Sequence, residues 1–195
     1  MGPYQGTGSA VEKDKAGNSW NWMQYGQIFE APTSKNNLVT VWVPDYWVWF
    51  EGRYFCHGHS IQTYWCYNYS VLGHEMPQVL NDDYVPRHQD RILPNDGAKL
   101  DAALGNCNVG DILIFYKGDE IIHSARISGF GSGGKTVSTT RFTSKNGYSP
   151  CLDLSLKDLL LRYTGTTSLH LYSQGSWTYT PGWLTTNWGR WLSTT

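Results

Sequence analysis

Two apolar runs flank a polar break between residues 111 and 128. Ile112-Leu113-Ile114-Phe115-Tyr116 is followed by Lys117-Gly118-Asp119-Glu120, and then by Ile121-Ile122-His123-Ser124-Ala125-Arg126-Ile127. This pattern predicts a hairpin, the clearest in the chain. Period-two alternation in its second strand puts Ile121, His123, Ala125 and Ile127 on one face, with Ile122, Ser124 and Arg126 on the other. His123 is thus expected to point with the apolar face, where a helix would pack.

That helix is expected to begin near Cys56, because Ile61, Tyr64, Trp65 and Asn68 recur at three- and four-residue steps before Gly73. A second is signalled by "NDGAKLDAALG", with Asp96 as its cap and Gly105 stopping it in the left-handed region. "SLKDLLLRY" has Ser155 three residues before Asp158 and reads as a third, capped helix. "NNLVTVWVPDYWVWFEG" reads as a strand, a turn at Pro44-Asp45 and a second apolar element, and ordered structure is expected to begin there. "KTVSTTRFTSK" is a further strand. The fold class expected is α+β, a nucleophile-bearing helix packed on an antiparallel sheet whose central strands include 111–117 and 120–128.

At 195 residues the chain suits one domain: a loose glycine-rich arm over 1–18, then a single catalytic domain over 19–195 with an aromatic-rich C-terminal segment. Charged residues are 16% of the chain and aromatics 15%, with ten tryptophans and 21 glycines, a mixture that favours strands and turns over long helices. It also suits a surface that meets sugars or peptides through rings, or simply a core built from large side chains. The formal net charge is -1, with no basic block, so neither nucleic acid nor anionic lipid is an expected partner. No apolar run spans a bilayer, and the first 30 residues carry no secretory apolar core. The expectation is a soluble chain without membrane insertion, either cytoplasmic or exported by a non-Sec route to a target periplasm.

"GFGSGGKT", residues 129–136, formally fits the phosphate-loop pattern after a strand. The motif needs a helix next, to face the phosphates. Val137 to Phe142 read as strand instead, so a hairpin loop is expected.

In "GRYFCHGHSIQTYWCYNYS", Cys56 stands beside His57 and close to His59. A thiol is a useful nucleophile as thiolate, and its ordinary pKa of about 8.5 is lowered by a helix start or a nearby imidazolium. Of the distant histidines His74, His88, His123 and His170, only His123 lies on an expected strand. The other cysteines, Cys66, Cys107 and Cys151, lack the paired spacing of structural zinc sites. His57 and His59 chelate zinc together only in an extended segment; in a helix they point about 200° apart. A zinc-dependent hydrolase using both is the alternative, as is a non-catalytic, Trp-rich module that binds glycan or protein. No cofactor and no catalytic metal are expected.

"FCHGHSIQTYW" followed by "VGDILIFYKGDEIIHSARISG" resembles the core of the papain-like cysteine peptidases of the NlpC type and the related CHAP amidohydrolases. The resemblance covers residues 46 to 150. It implies a papain-like core in which Cys56 is the nucleophile, His123 the general base and Gly110-Asp111 the turn before the strand. Phe55-Cys56-His57-Gly58 stands where the NlpC type has Asp-Cys-Ser-Gly. A third group that orients the base follows on the next strand, where Asn146 offers an amide and Ser144 or Thr140 a hydroxyl; "SKNG" reads equally as a turn. Tyr46 falls where the NlpC type has a tyrosine near the oxyanion site, and His57 and Trp65 join it as substrate-cleft residues. The activity implied is cysteine-dependent hydrolysis of an amide bond, as endopeptidase or amidase, with peptide or peptidoglycan as substrate. An antibacterial effector toxin with an immunity or inhibitor protein as partner fits the same expectations.

Overall fold

A computed structural model describes residues 12–13, 19–20, 26–44, 56–61, 70–71, 73–145 and 151–174. Short strands β1 (Glu12–Lys13) and β2 (Ser19–Trp20) pair with each other. β3 (Gly26–Pro32) and β4 (Leu38–Pro44) form an antiparallel ribbon. Helix α1 (Cys56–Ile61) follows, then β5 (Ser70–Val71), which adds a third strand to that ribbon by pairing with β4. Next come α2 (Met76–Asp83), β6 (Tyr84–Pro86) and α3 (Gly97–Gly105). The hairpin is β7 (Ile112–Lys117) and β8 (Glu120–Phe130), followed by β9 (Thr140–Ser144) and β10 (Leu152–Ser155). Helix α4 (Leu156–Arg162) and β11 (Ser168–Gln174) complete the described chain.

The fold is α+β. Six strands form one antiparallel sheet in the order β10-β9-β8-β7-β11-β6, with the expected hairpin near its middle. The two-residue turn, Gly118-Asp119, sets Gly118 at φ 61°, the left-handed first position that a tight hairpin of this kind demands.

Both faces of the sheet are covered, so β7 is buried almost end to end. On one face Ile112, Ile114, Tyr116 and Ile121 pack with Met76, Val79 and Leu80 of α2 and Ile61 of α1. On the other, Leu113, Phe115, Ala125, Ile127, Phe142, Leu169 and Leu171 pack with Leu100 and Leu104 of α3 and Leu156 and Leu159 of α4.

The alternation read along β8 fails at its first two apolar residues, Ile121 and Ile122. Phe115 pairs with His123 but Tyr116 pairs with Ile121, so Ile122 is an extra residue, a bulge. Ile121 therefore turns to the α2 face, and Ile122, expected beside Ser124 and Arg126, joins His123, Ala125 and Ile127 on the α3 and α4 face. α1, expected on the His123 face, lies against β8 with its end, Ile61, in the α2-side cluster and its start, Cys56, near Tyr163 on the His123 side. A strand apolar on both sides cannot announce by its pattern which side a helix will take.

β9 pairs only with the far half of β8, from Arg126 to Phe130. Over the near half, α1 packs against β8 and the end of β9. The sequence led us to expect this helix to continue towards Gly73, yet the chain is already in β5 at Ser70. Gly73 comes close to β8; a Cβ there would stand 3.1 Å from the Ile121 carbonyl and 3.6 Å from the His57 ring.

Local signals survive well. The Asp96 side chain accepts the Lys99 N–H and caps α3, although Gly105 is simply its last residue and the helix ends on Asn106 at φ −91°. Ser155 and Asp158 form a reciprocal capping box on α4. Ser155→Ala is expected to cost about 1 kcal/mol and to lower the melting temperature by about 2–4 °C, as measured by calorimetry. Unchanged melting would mean that the box is idle. Strand β9 starts at Thr140 rather than Lys135, because the hydroxyls of Thr139 and Thr140 bond back to the Thr136 carbonyl and hold a turn. The loop after "GFGSGGKT" leads into this strand and not into a helix. β3 and β11 are strands that the sequence reading did not assign.

Candidate active site

Three elements bring the candidate chemistry together. α1 starts at Cys56, β8 carries His123, and β9 ends at Ser144. Ser144 Oγ lies 2.8 Å from His123 Nε2, so the hydroxyl holds one imidazole nitrogen and leaves Nδ1 for other chemistry. Both side chains are almost completely buried.

Tyr163, the residue that ends α4, completes the cluster. Its ring stacks on His123 with centroids 3.8 Å apart and planes 17° apart. Phe115 flanks both rings, 5.3 Å from His123 and 5.8 Å from Tyr163. Burial, with the neighbouring Cys56 thiol adding to it, pushes the Tyr163 hydroxyl well above its ordinary pKa, and that hydroxyl also faces Ser144. Cys56 and His123 are thus joined through a shared neighbour. Nothing local in "LLLRY" marks this tyrosine; only the close of α4 against β8 and β9 delivers it.

Cys56 is half-buried and not part of a disulfide. Its carbonyl accepts the Ser60 hydroxyl at 2.9 Å, one turn along α1. Burial, with the fields of His57 and His59 after it, lowers the His123 pKa well below 6.5. At pH 7 His123 is therefore a neutral base.

The two other histidines of α1 take separate partners. His57 Nδ1 lies 2.9 Å from Ser124 Oγ, and its pKa falls to about 4 through burial. His59 Nε2 lies 3.3 Å from the Cys151 sulfur, and burial, then Arg126 and Lys145, lower its pKa to about 4. The helix sends the two rings to different places, and among the described residues no three His, Cys, Asp or Glu side chains converge as metal ligands. Cys151 is exposed, but burial of its sulfur raises the thiol pKa above the ordinary value, against the pull of Lys145 and the Ser144 N–H.

The remaining residues fall outside this cluster. Thr140 gives its hydroxyl to Thr136. His74 is exposed beside Glu75. His170 bonds the His88 carbonyl at 2.9 Å through Nε2 and meets the Tyr172 hydroxyl at 3.0 Å through Nδ1. Cys107 is fully buried, with a thiol pushed up to about 12 by that burial. Gly110-Asp111 leads into β7, and Asp111 pairs with Arg87 at 2.8 Å. Tyr46, Trp65, Cys66, Asn146 and the Trp-rich segment after Gln174 lie outside the described residues. No helix among the described residues is long and apolar enough to cross a membrane.

Comparison with protein-family models, curated proteins and solved structures finds no match. What the fold and site define is an α+β chain in which a helix-start thiol, a neutral imidazole and a hydroxyl surround Tyr163 on an antiparallel sheet.

Proposed function

We propose that this protein is a cysteine-dependent amide hydrolase with a papain-like core, acting on the peptide of bacterial cell wall as endopeptidase or amidase. The observation that carries the reading is the cluster itself: Cys56 opens a helix beside Tyr163, whose ring lies on His123, whose far nitrogen is held by Ser144.

In this mechanism His123 Nδ1 takes the Cys56 proton and the sulfur attacks the substrate carbonyl. The backbone N–H of Cys56 is the donor nearest the developing oxyanion. The imidazolium then gives its proton to the leaving amine, and water, deprotonated by the same nitrogen, releases the acyl group from sulfur. Ser144 holds the ring through both transfers. A protein inhibitor that covers the cleft belongs to the same proposal.

Two measurements test it together. Digesting peptidoglycan with the full chain should release fragments whose masses identify a cut amide. Iodoacetamide at pH 7 should alkylate Cys56 at least about tenfold faster than Cys151, with Cys107 unlabelled, and His123→Ala should erase the advantage. Equal labelling of Cys56 and Cys151 in the wild type, with peptidoglycan intact, would defeat the hydrolase reading.

A further inference from the structure

We infer that Tyr163 is a positioning residue for His123, its ring acting as the floor that fixes the imidazole plane. The inference rests on the reading of His123 as the general base. A hydrogen bond at one nitrogen leaves an imidazole free to swing about that bond. Here Ser144 anchors Nε2, and the swing is stopped by the stacked Tyr163 ring on one side and the inclined Phe115 ring beside it.

Tyr163 is itself well held. Its N–H closes α4 on the Leu159 carbonyl, and its own carbonyl accepts the Thr166 N–H at 3.0 Å and hydroxyl at 2.6 Å. The stack also favours the reaction over the resting state. An aromatic face attracts an imidazolium more than a neutral imidazole, so the contact strengthens as His123 takes the thiol proton. The groups around His123 among the described residues are His57 and His59 from α1, Ser144 from β9, Phe115 from β7 and Tyr163, with Cys56 acting on Tyr163. None of these is a carboxylate, so the ring face adds to the attraction that the Cys56 thiolate gives the imidazolium once the proton has moved.

The test compares Tyr163→Phe, which keeps the ring, with Tyr163→Leu, which keeps only bulk; Tyr163→Met replaces the leucine variant if that one fails to fold. The imidazole nitrogen shifts of His123 are read by NMR on the labelled full chain at pH 7, and kcat and KM are read on peptidoglycan fragments. Wild type and Tyr163→Phe should show one His123 tautomer and activities within about threefold of each other, while Tyr163→Leu should show averaged nitrogen shifts and a roughly tenfold lower kcat at unchanged KM. A phenylalanine variant as impaired as the leucine one, or a leucine variant with wild-type nitrogen shifts, overturns the inference. The NMR result stands apart from turnover: averaged shifts in an inactive protein would uphold the positioning role and reject the hydrolase reading.

Discussion

Cys56→Ala should lower hydrolysis of an amide substrate by about four orders of magnitude or more, and His123→Ala should do nearly the same. The double variant should be no slower than either single one. A thiol without its base, and a base without its thiol, each leave the other idle, so the second removal costs nothing further. Ser144→Ala should fall between wild type and these variants, because the ring keeps its stack on Tyr163 while losing the bond at Nε2. Losses that multiply in the double variant, or a Cys56→Ala protein with full activity on fragments the wild type cuts, would remove these residues from the chemistry.

Acid should destabilise the fold well before its carboxylates titrate. His57 is buried and bonded to Ser124, and its pKa falls from 6.5 to about 4 on folding. The unfolded chain takes up a proton at this group near pH 6.5, whereas the folded chain resists until about pH 4. The associated stability is full above pH 6.5 and is lost as pH falls towards 4, a change of roughly 3 kcal/mol for this group alone. His59 shifts in the same direction to about 4, and burial lowers His123 as well, so all three rings contribute to the loss. Urea midpoints measured between pH 7.5 and 4.5 should decline steadily, and His57→Asn should flatten part of the slope. A midpoint independent of pH over this range would show that the three rings are not held neutral by the fold.

How much of this was legible depends on range. The Asp96 and Ser155 caps were readable because a cap joins residues three apart, and the hairpin because two apolar runs and a glycine turn are contiguous. Cys56 at a helix start and His123 on a strand were readable for the same reason. The bulge at Ile122 was not, since a two-sided apolar strand offers no polar face against which a one-residue slip would show. Nor was the stack of Tyr163 on His123, which joins residues 40 positions apart, or the approach of His57 to Ser124, 67 apart. Strand β11 was hidden because "SLHLYSQ" runs straight into a Gly- and Trp-rich segment and reads as its beginning.

The half-length pairing of β9 on β8 carries a consequence for the protein's life in solution. From Glu120 to Ala125 the outer side of β8 has no strand partner among the described residues, and α1 packs there instead. An uncovered stretch of strand is a template on which another chain can add itself and grow an aggregate. The six-residue helix that begins with Cys56 therefore also serves as a guard for that edge. Any change that loosened α1 would unlock that edge at the same stroke, so the packing of this short helix is tied to a risk of self-association.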